Sequence, residues 1–295
     1  MASPDAKGHL VVHEDPRLAA QLDQLAAGSR LVFFAGLPGT GKSLLIHQMA
    51  HLAHAAGREI HLLQWDVVRP RFEAGRAGVR HPTEQGVTHS VIRKAVGVWV
   101  RHAMVAWHHH HPESRHLLIG ETPLVGHRFI ELARREDDAA EPLLAAGSCR
   151  FVIPVPSLEV RRFLEAERDR RIHRPVHDRE REDAPPHVLR ALWGELVDAG
   201  RALGVDRNGE PAAAPPYDPG LYERVYRLVL RHRHVASLIV DRVLSNEGRS
   251  VYEFHIPAHD VVPSADETDR FIEKIEQQYP DLSGLQDEVD RWYVV

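Results

Sequence analysis

The sequence predicts an α/β protein, a three-layer α/β/α arrangement around a mainly parallel sheet, and three observations predict it. Short apolar runs alternate with longer amphipathic stretches, which is the rhythm of βαβ units. The apolar run of residues 31–35 leads directly into Gly36-Leu37-Pro38-Gly39-Thr40-Gly41-Lys42-Ser43 and then into a helical pattern over 44–56, so strand, glycine-rich turn and helix follow without a break. At 295 residues the chain is long enough to bury a sizeable core on both faces of such a sheet.

A short leader at 9–13 precedes a helix over about 15–27, and the first strand covers 30–35. After the helix at 44–56, Glu59-Ile60-His61-Leu62-Leu63-Gln64-Trp65 reads as a second strand ending at Asp66. A long amphipathic helix covers about 88–108, with Thr88 as its N-cap. The third strand, 116–119, closes on Gly120-Glu121, and helical segments follow at about 125–135 and 139–145. A fourth strand at 150–154 feeds an arginine-rich helix over 158–171. The charged, proline-containing stretch 172–186 breaks the pattern before a helix resumes over 187–203. Residues 205–219, with Pro-Ala-Ala-Ala-Pro-Pro, read as a surface insertion. A helix at 220–232, a strand at 235–240, an edge strand at 250–256 and a helix over 265–279 complete the series. The expected division is a main domain over 1–260, with a lid at about 158–186, and a C-terminal helical extension over 261–295. Its apolar ending, Arg291-Trp292-Tyr293-Val294-Val295, is expected to dock on the body.

A net charge of −5 gives no global basic field, so bulk electrostatics do not suggest a nucleic-acid partner. The single cysteine, Cys149, excludes an intramolecular disulfide, fits a reducing cytoplasm and sits in a strand-like run as an inert thiol. No secretion signal is read, and the most apolar helical stretch, 95–107, is too short to span a bilayer and is interrupted by Arg101 and His102. A cytoplasmic protein without a membrane partner is expected. The tract His108-His109-His110-His111 precedes Pro112 at the polar end of the long helix and is taken as a solvated helix terminus rather than a metal site.

The glycine-rich turn carries the chemistry. A strand, a glycine turn and a helix N-terminus let backbone N–H groups surround a phosphate, with the helix dipole facing it. Gly39 and Gly41 supply positive φ and close backbone approach. Lys42 is placed to reach the β- and γ-phosphates, and the Ser43 hydroxyl to join the shell of Mg²⁺. The lysine at this position stands out because the chain has only four, at positions 7, 42, 94 and 274. Gly36, Leu37, Pro38, Gly39, Thr40, Gly41, Lys42, Ser43 and Leu44 are therefore the expected nucleoside-triphosphate contacts. A flexible turn without a ligand is the alternative.

These residues match the phosphate-binding loop of the P-loop NTPase superfamily. A guanine-reading Asn-Lys-x-Asp segment and an ABC-type Leu-Ser-Gly-Gly signature are absent from the sequence, and Leu117-Leu118-Ile119-Gly120-Glu121 carries Gly where a motor ATPase has its metal-binding Asp. Over roughly residues 30–245 the chain resembles the P-loop kinase group. Leu62-Leu63-Gln64-Trp65-Asp66-Val67-Val68-Arg69 is similar to the end of strand 2 in polynucleotide-kinase-like and zeta-toxin-like kinases. The resemblance implies a Mg²⁺- and ATP-dependent kinase acting on a small-molecule acceptor. Asp66 becomes the general base, with helix capping as its alternative, and Arg69 a substrate clamp. Glu121, after the third strand, is a candidate for Mg²⁺ or substrate, and His127 and Arg128, on the next expected helix, are candidate substrate contacts. Arg161, Arg168 and Arg171 fall close to one helical stripe, as the arginines of a mobile lid would, although Glu159, Glu165, Glu167 and Asp169 interleave with them. An ATPase coupled to a protein or nucleic-acid partner, and a nucleotide-sensing module without turnover, remain as alternatives.

Overall fold

The computed structural model describes residues 10–83, 86–205, 215–244 and 248–295. At its centre lies β1 (Leu31–Ala35), whose five residues are all buried. A strand buried on both sides needs apolar residues at every position, which is how the run Leu-Val-Phe-Phe-Ala reads. β3 (His116–Thr122) and β4 (Cys149–Pro156) flank it in parallel, with Phe34 opposite Glu121 and Phe34 opposite Val152. β2 (Glu59–Leu63) lies outside β3, and β5 (Val235–Val240) outside β4. β6 (Ala258–Asp260) pairs with the outer side of β2. The order is β5-β4-β1-β3-β2-β6, and every pairing is parallel.

Alternation along these strands builds two cores. Leu31, Phe33, Leu63, Leu118 and Phe151 face one side. There they meet α3 (Trp65–Ala74), α4 (Ser90–His110), α7 (Pro186–Ala202) and α8 (Pro219–Val229). Val32, Phe34, Leu62, Ile119 and Val152 face the other side, against α1 (Pro16–Gly28) and α2 (Lys42–Ala55). α6 (Leu158–His173) adds Val160 to this second core. The three-layer expectation holds.

α9 (Ala265–Gln278) and α10 (Ser283–Asp290) pack on α4 and share the first core through Phe271, Ile272, Ile275, Leu285, Val289 and Trp292. The apolar ending docks on the body, as expected, and the helical extension adds its buried side chains to the first core. Among the described residues no helix is long and apolar enough to cross a membrane.

Several elements differ from the sequence reading. β2 stops at Leu63 and α3 begins at Trp65, so Asp66 lies in the first helical turn; Gln64 holds the N-cap position, and Asp66 does not cap. The cap of α4 is His89, whose Nδ1 accepts from the Val91 amide, while Thr88 donates to Glu73 at 3.1 Å. The segment 125–135 is not a helix. Leu124, His127 and Phe129 take φ of 61–63°, Leu124 and Arg128 bridge across the resulting turn, and only Ile130–Leu132 closes a 3-10 turn. The expected helix at 139–145 shortens to α5 (Glu141–Leu144). Residues 250–256 do not form the edge strand. Tyr252 donates to Asp183 and Phe254 packs against His47 and His51, so these side chains anchor a loop, and pairing with β2 falls to Ala258–Asp260. Most of the expected insertion, residues 206–214, lies outside the described residues.

Candidate functional site

β1 and β2 are consecutive in the chain but have β3 between them, and β3 and β4 enclose β1. Such a reversal of strand order opens a crevice at the carboxyl ends of the strands, where ligands of open α/β sheets bind. The loop 36–43 lies on this rim. Its course is fixed by Gly39 at φ 75° and Gly41 at φ 86°, the latter in the N-cap position of α2. Inside the loop, Thr40 Oγ1 and Lys42 Nζ both donate to the Leu37 carbonyl, at 2.8 and 2.9 Å. At its base the Gly36 amide donates to Thr122 at 3.3 Å, tying the loop to β3. Among the described residues the amides of Gly39, Thr40, Gly41, Lys42 and Ser43 have no hydrogen-bond acceptor. Successive N–H groups at a helix N-terminus with no acceptor of their own are an anion nest.

Glu121 reaches the same place because it shares a face with Leu117 and Ile119, the side of the sheet that α2 covers. It is buried, and the Trp65 amide at the start of α3 faces its carboxylate. Burial raises the Glu121 pKa, and the neighbouring Asp66 raises it further against the pull of Lys42. Burial likewise lowers the Lys42 pKa; Glu121 and Asp66 oppose that shift, while Arg168 and Arg161 reinforce it. The fold therefore gathers Lys42, Glu121, Asp66, Arg161 and Arg168 within electrostatic range of one another. Asp66 itself is exposed on the rim, and Ser43 and Leu44 are half-buried on the first turn of α2.

Arg161 is fastened to the loop. Its Nη1 donates to the Pro38 carbonyl at 2.7 Å, its Nε to Glu165 at 2.6 Å, and its guanidinium lies 5.6 Å from the Tyr217 ring centre. Arg168 gives Nη2 to Asp183 at 2.6 Å, while its buried Nη1 has no hydrogen-bond partner among the described residues. Arg171 corrects the expectation of one arginine stripe over the loop: it donates to Glu167, Glu180 and the Arg249 carbonyl, on the side of the helix that faces the 3-10 turn Asp178–Glu182. Of the interleaved acids, Glu167 is its partner, and Glu165 is that of Arg161. Arg128 leaves its expected helix for the turn at 124–128, where burial lowers its pKa while Glu195 and Asp66 oppose that shift. Arg69 pairs with Glu73 one helical turn on, at 3.2 Å, and also acts electrostatically on Arg128. His127 is buried and pairs with Glu131 at 2.8 Å, so it belongs to the packing.

Sequence reasoning missed Tyr222, whose hydroxyl covers Gly36, and the pair Asp183–Tyr252, which holds Arg168. No local pattern marks these residues, because each reaches the site from a distant segment. The donor set fits a polyphosphate: loop amides without acceptors, a buried ammonium and a guanidinium nitrogen without a partner. It also fits a divalent cation, since two neighbouring carboxyls, one of them buried, lie within electrostatic range of Lys42. No family profile, curated protein or solved structure matches this chain.

Proposed function

We propose that the chain is an ATP- and Mg²⁺-dependent phosphotransferase that moves the γ-phosphate of ATP to a hydroxyl or phosphate of a small molecule. The observation that carries this reading is the coincidence of the acceptor-free amides of residues 39–43 with Lys42, Glu121, Asp66 and Arg168 on one rim. Phosphoryl transfer asks mainly for positioning and neutralisation of charge, and this set supplies both.

In this reading the loop 36–44 and Lys42 grip the triphosphate, and Ser43 with Glu121 hold the metal. Bound Mg-ATP supplies the phosphoryl group and part of the charge neutralisation. Asp66, exposed beside the buried Glu121, accepts the proton of the acceptor hydroxyl. Arg69 and Arg128, grouped around Asp66, bind the acceptor, and Arg128 suits an anionic one because its positive charge is buried. Arg168 contributes its partnerless Nη1 to the transferring group, and Arg161 braces the loop from outside through Pro38.

The test is incubation of the purified chain with γ-labelled ATP, Mg²⁺ and a metabolite extract, followed by identification of the labelled product. A labelled acceptor is expected, Lys42→Ala is expected to abolish its formation, and Asp66→Asn to keep ATP binding while transfer collapses by about 10²–10⁴-fold. Tight ATP binding with no labelled product, or phosphate release stimulated by a macromolecule, sinks the kinase reading. An Asp66→Asn variant with normal transfer sinks the assignment of the base.

A further inference from the structure

On the opposite rim, at the amino ends of β2 and β3, a second constellation lies apart from the glycine-rich loop. His61 is opposite Leu118, and His116 begins β3 opposite Glu59. Side chains two residues apart on a strand share a face, so His61, His116 and Glu59 all project toward α4. There His111, the residue that ends α4, turns its ring inward: its centre lies 4.3 Å from that of His61 and 4.6 Å from that of His116. One ring nitrogen from each of His61, His111 and His116 lies within 4.8 Å of the others, and His61 Nε2 is 3.2 Å from His116 Nδ1. His61 and His116 are buried and His111 is half-buried; His61 and His111 border a cavity of about 470 Å³ lined also by Trp107, His259 and Asp260.

We infer that His61, His111 and His116 form a binding site for a divalent transition-metal ion of the zinc class, with its fourth position open to this cavity. Three imidazoles with an open place are a recurring zinc donor set, and imidazole suits Zn²⁺, Cu²⁺ and Ni²⁺ better than Mg²⁺ or Ca²⁺. Bonds of about 2.0–2.1 Å require only small ring movements to close the present separations. The surroundings are built for the role. His116 presents Nδ1 to the cluster, and its Nε2 lies 3.3 Å from the Glu113 carboxylate and 3.4 Å from Arg115 Nε; in the Nε2–H tautomer the former is the carboxylate–histidine pairing that orients metal ligands. Glu59 stands 3.2 Å from His116 Nδ1 as a further oxygen donor, shared with Arg115. Arg30 donates to the carbonyls of His111, Glu113 and His116, which holds the helix end and the strand start together. By contrast, the other compact group among the described residues, His127, Glu131 and Glu288, is already filled by Lys94 and Arg134.

Titration of the full chain with Zn²⁺ by calorimetry tests the inference. One saturable equivalent per chain is expected. It should persist in the variant His108→Ala/His109→Ala/His110→Ala, which strips the exposed tract, and weaken by at least about tenfold in His111→Ala. Glu113→Gln is expected to weaken binding by about 10–100-fold without unfolding the chain, and Co²⁺ should give the visible absorption of a four-coordinate nitrogen site in the parent but not in His111→Ala. No saturable uptake by the parent overturns the inference, as does uptake that survives His111→Ala unchanged or vanishes with the tract. None of these readouts depends on nucleotide, so failure here leaves the phosphotransferase reading intact.

Discussion

Gly36→Ala is a sharp probe of the loop's geometry. A Cβ at this position would lie 2.3 Å from the Tyr222 hydroxyl oxygen and 2.9 Å from Thr40 Oγ1, against 3.4 Å or more in ordinary contact. Tyr222 must retreat by about 1 Å or the base of the loop must lift. Neither is cheap. Tyr222 is fully buried on α8, with ring centres 4.9 Å from Tyr226 and 5.9 Å from Tyr217, and Gly36 is tied to Thr122. Overpacking of this kind costs about 1–3 kcal/mol. Urea unfolding of the parent, Gly36→Ala, Tyr222→Phe and the double variant forms a cycle in which removing the hydroxyl restores part of the loss. A coupling of about 0.5–3 kcal/mol is expected for groups in direct contact. A Gly36→Ala protein within about 0.5 kcal/mol of the parent, or strictly additive variants, would refute the placement of Tyr222 over the loop.

Three further outcomes follow from the charges and burial. Burial and Asp66 raise the folded-state pKa of Glu121, so the native protein holds this proton longer than the unfolded chain, and stability falls as pH climbs from about 4.5 toward neutrality. Denaturant midpoints across that range should show a shallower fall in Glu121→Gln; an unchanged slope would remove Glu121 from the account. Burial alone would raise the Glu288 pKa, but hydrogen bonds from Lys94, Tyr279 and Arg134 pull it down to about 2, so its contribution, present above pH 4.5, is lost as pH falls toward 2. At about 1.4 kcal/mol per pKa unit the fall from 4.5 to about 2 corresponds to about 3.5 kcal/mol before solvent screening of a side chain 23% exposed; hydrogen exchange in α9 and α10 should rise in that window in the parent and already be raised at neutral pH in Glu288→Gln. Cys149 is fully buried and its thiol is pushed up to about 12, so alkylation should report unfolding only; rapid labelling of the native chain would contradict its burial.

The Leu31–Ala35 run, the glycines at 36, 39 and 41 and the Lys42-Ser43 pair are local signals, and the structure places strand, turn and helix where they say. Local pattern misled where long-range partners decided. Alternation at 250–256 looks like a strand, yet Tyr252 and Phe254 spend it on Asp183 and on the histidines of α2. The stripe of arginines is real on α6, but carboxylates from outside its own turns claim Arg168 and Arg171, leaving Arg161 alone on the loop. His111 sits in a tract that reads as a solvated helix end, and only the register of β2 against β3 brings His61 and His116 to meet it.

What the sequence determined by itself is therefore the material that depends on near neighbours: the alternation of strands and helices and the glycine turn. Tertiary structure alone decided which charges face one another: Glu121 with Lys42 and Asp66, Tyr222 over Gly36, and three imidazoles on the far rim. The physical reason is range. Backbone conformation is set over a few residues, whereas desolvation and ion pairing are set by groups that strand order brings together from distant parts of the chain.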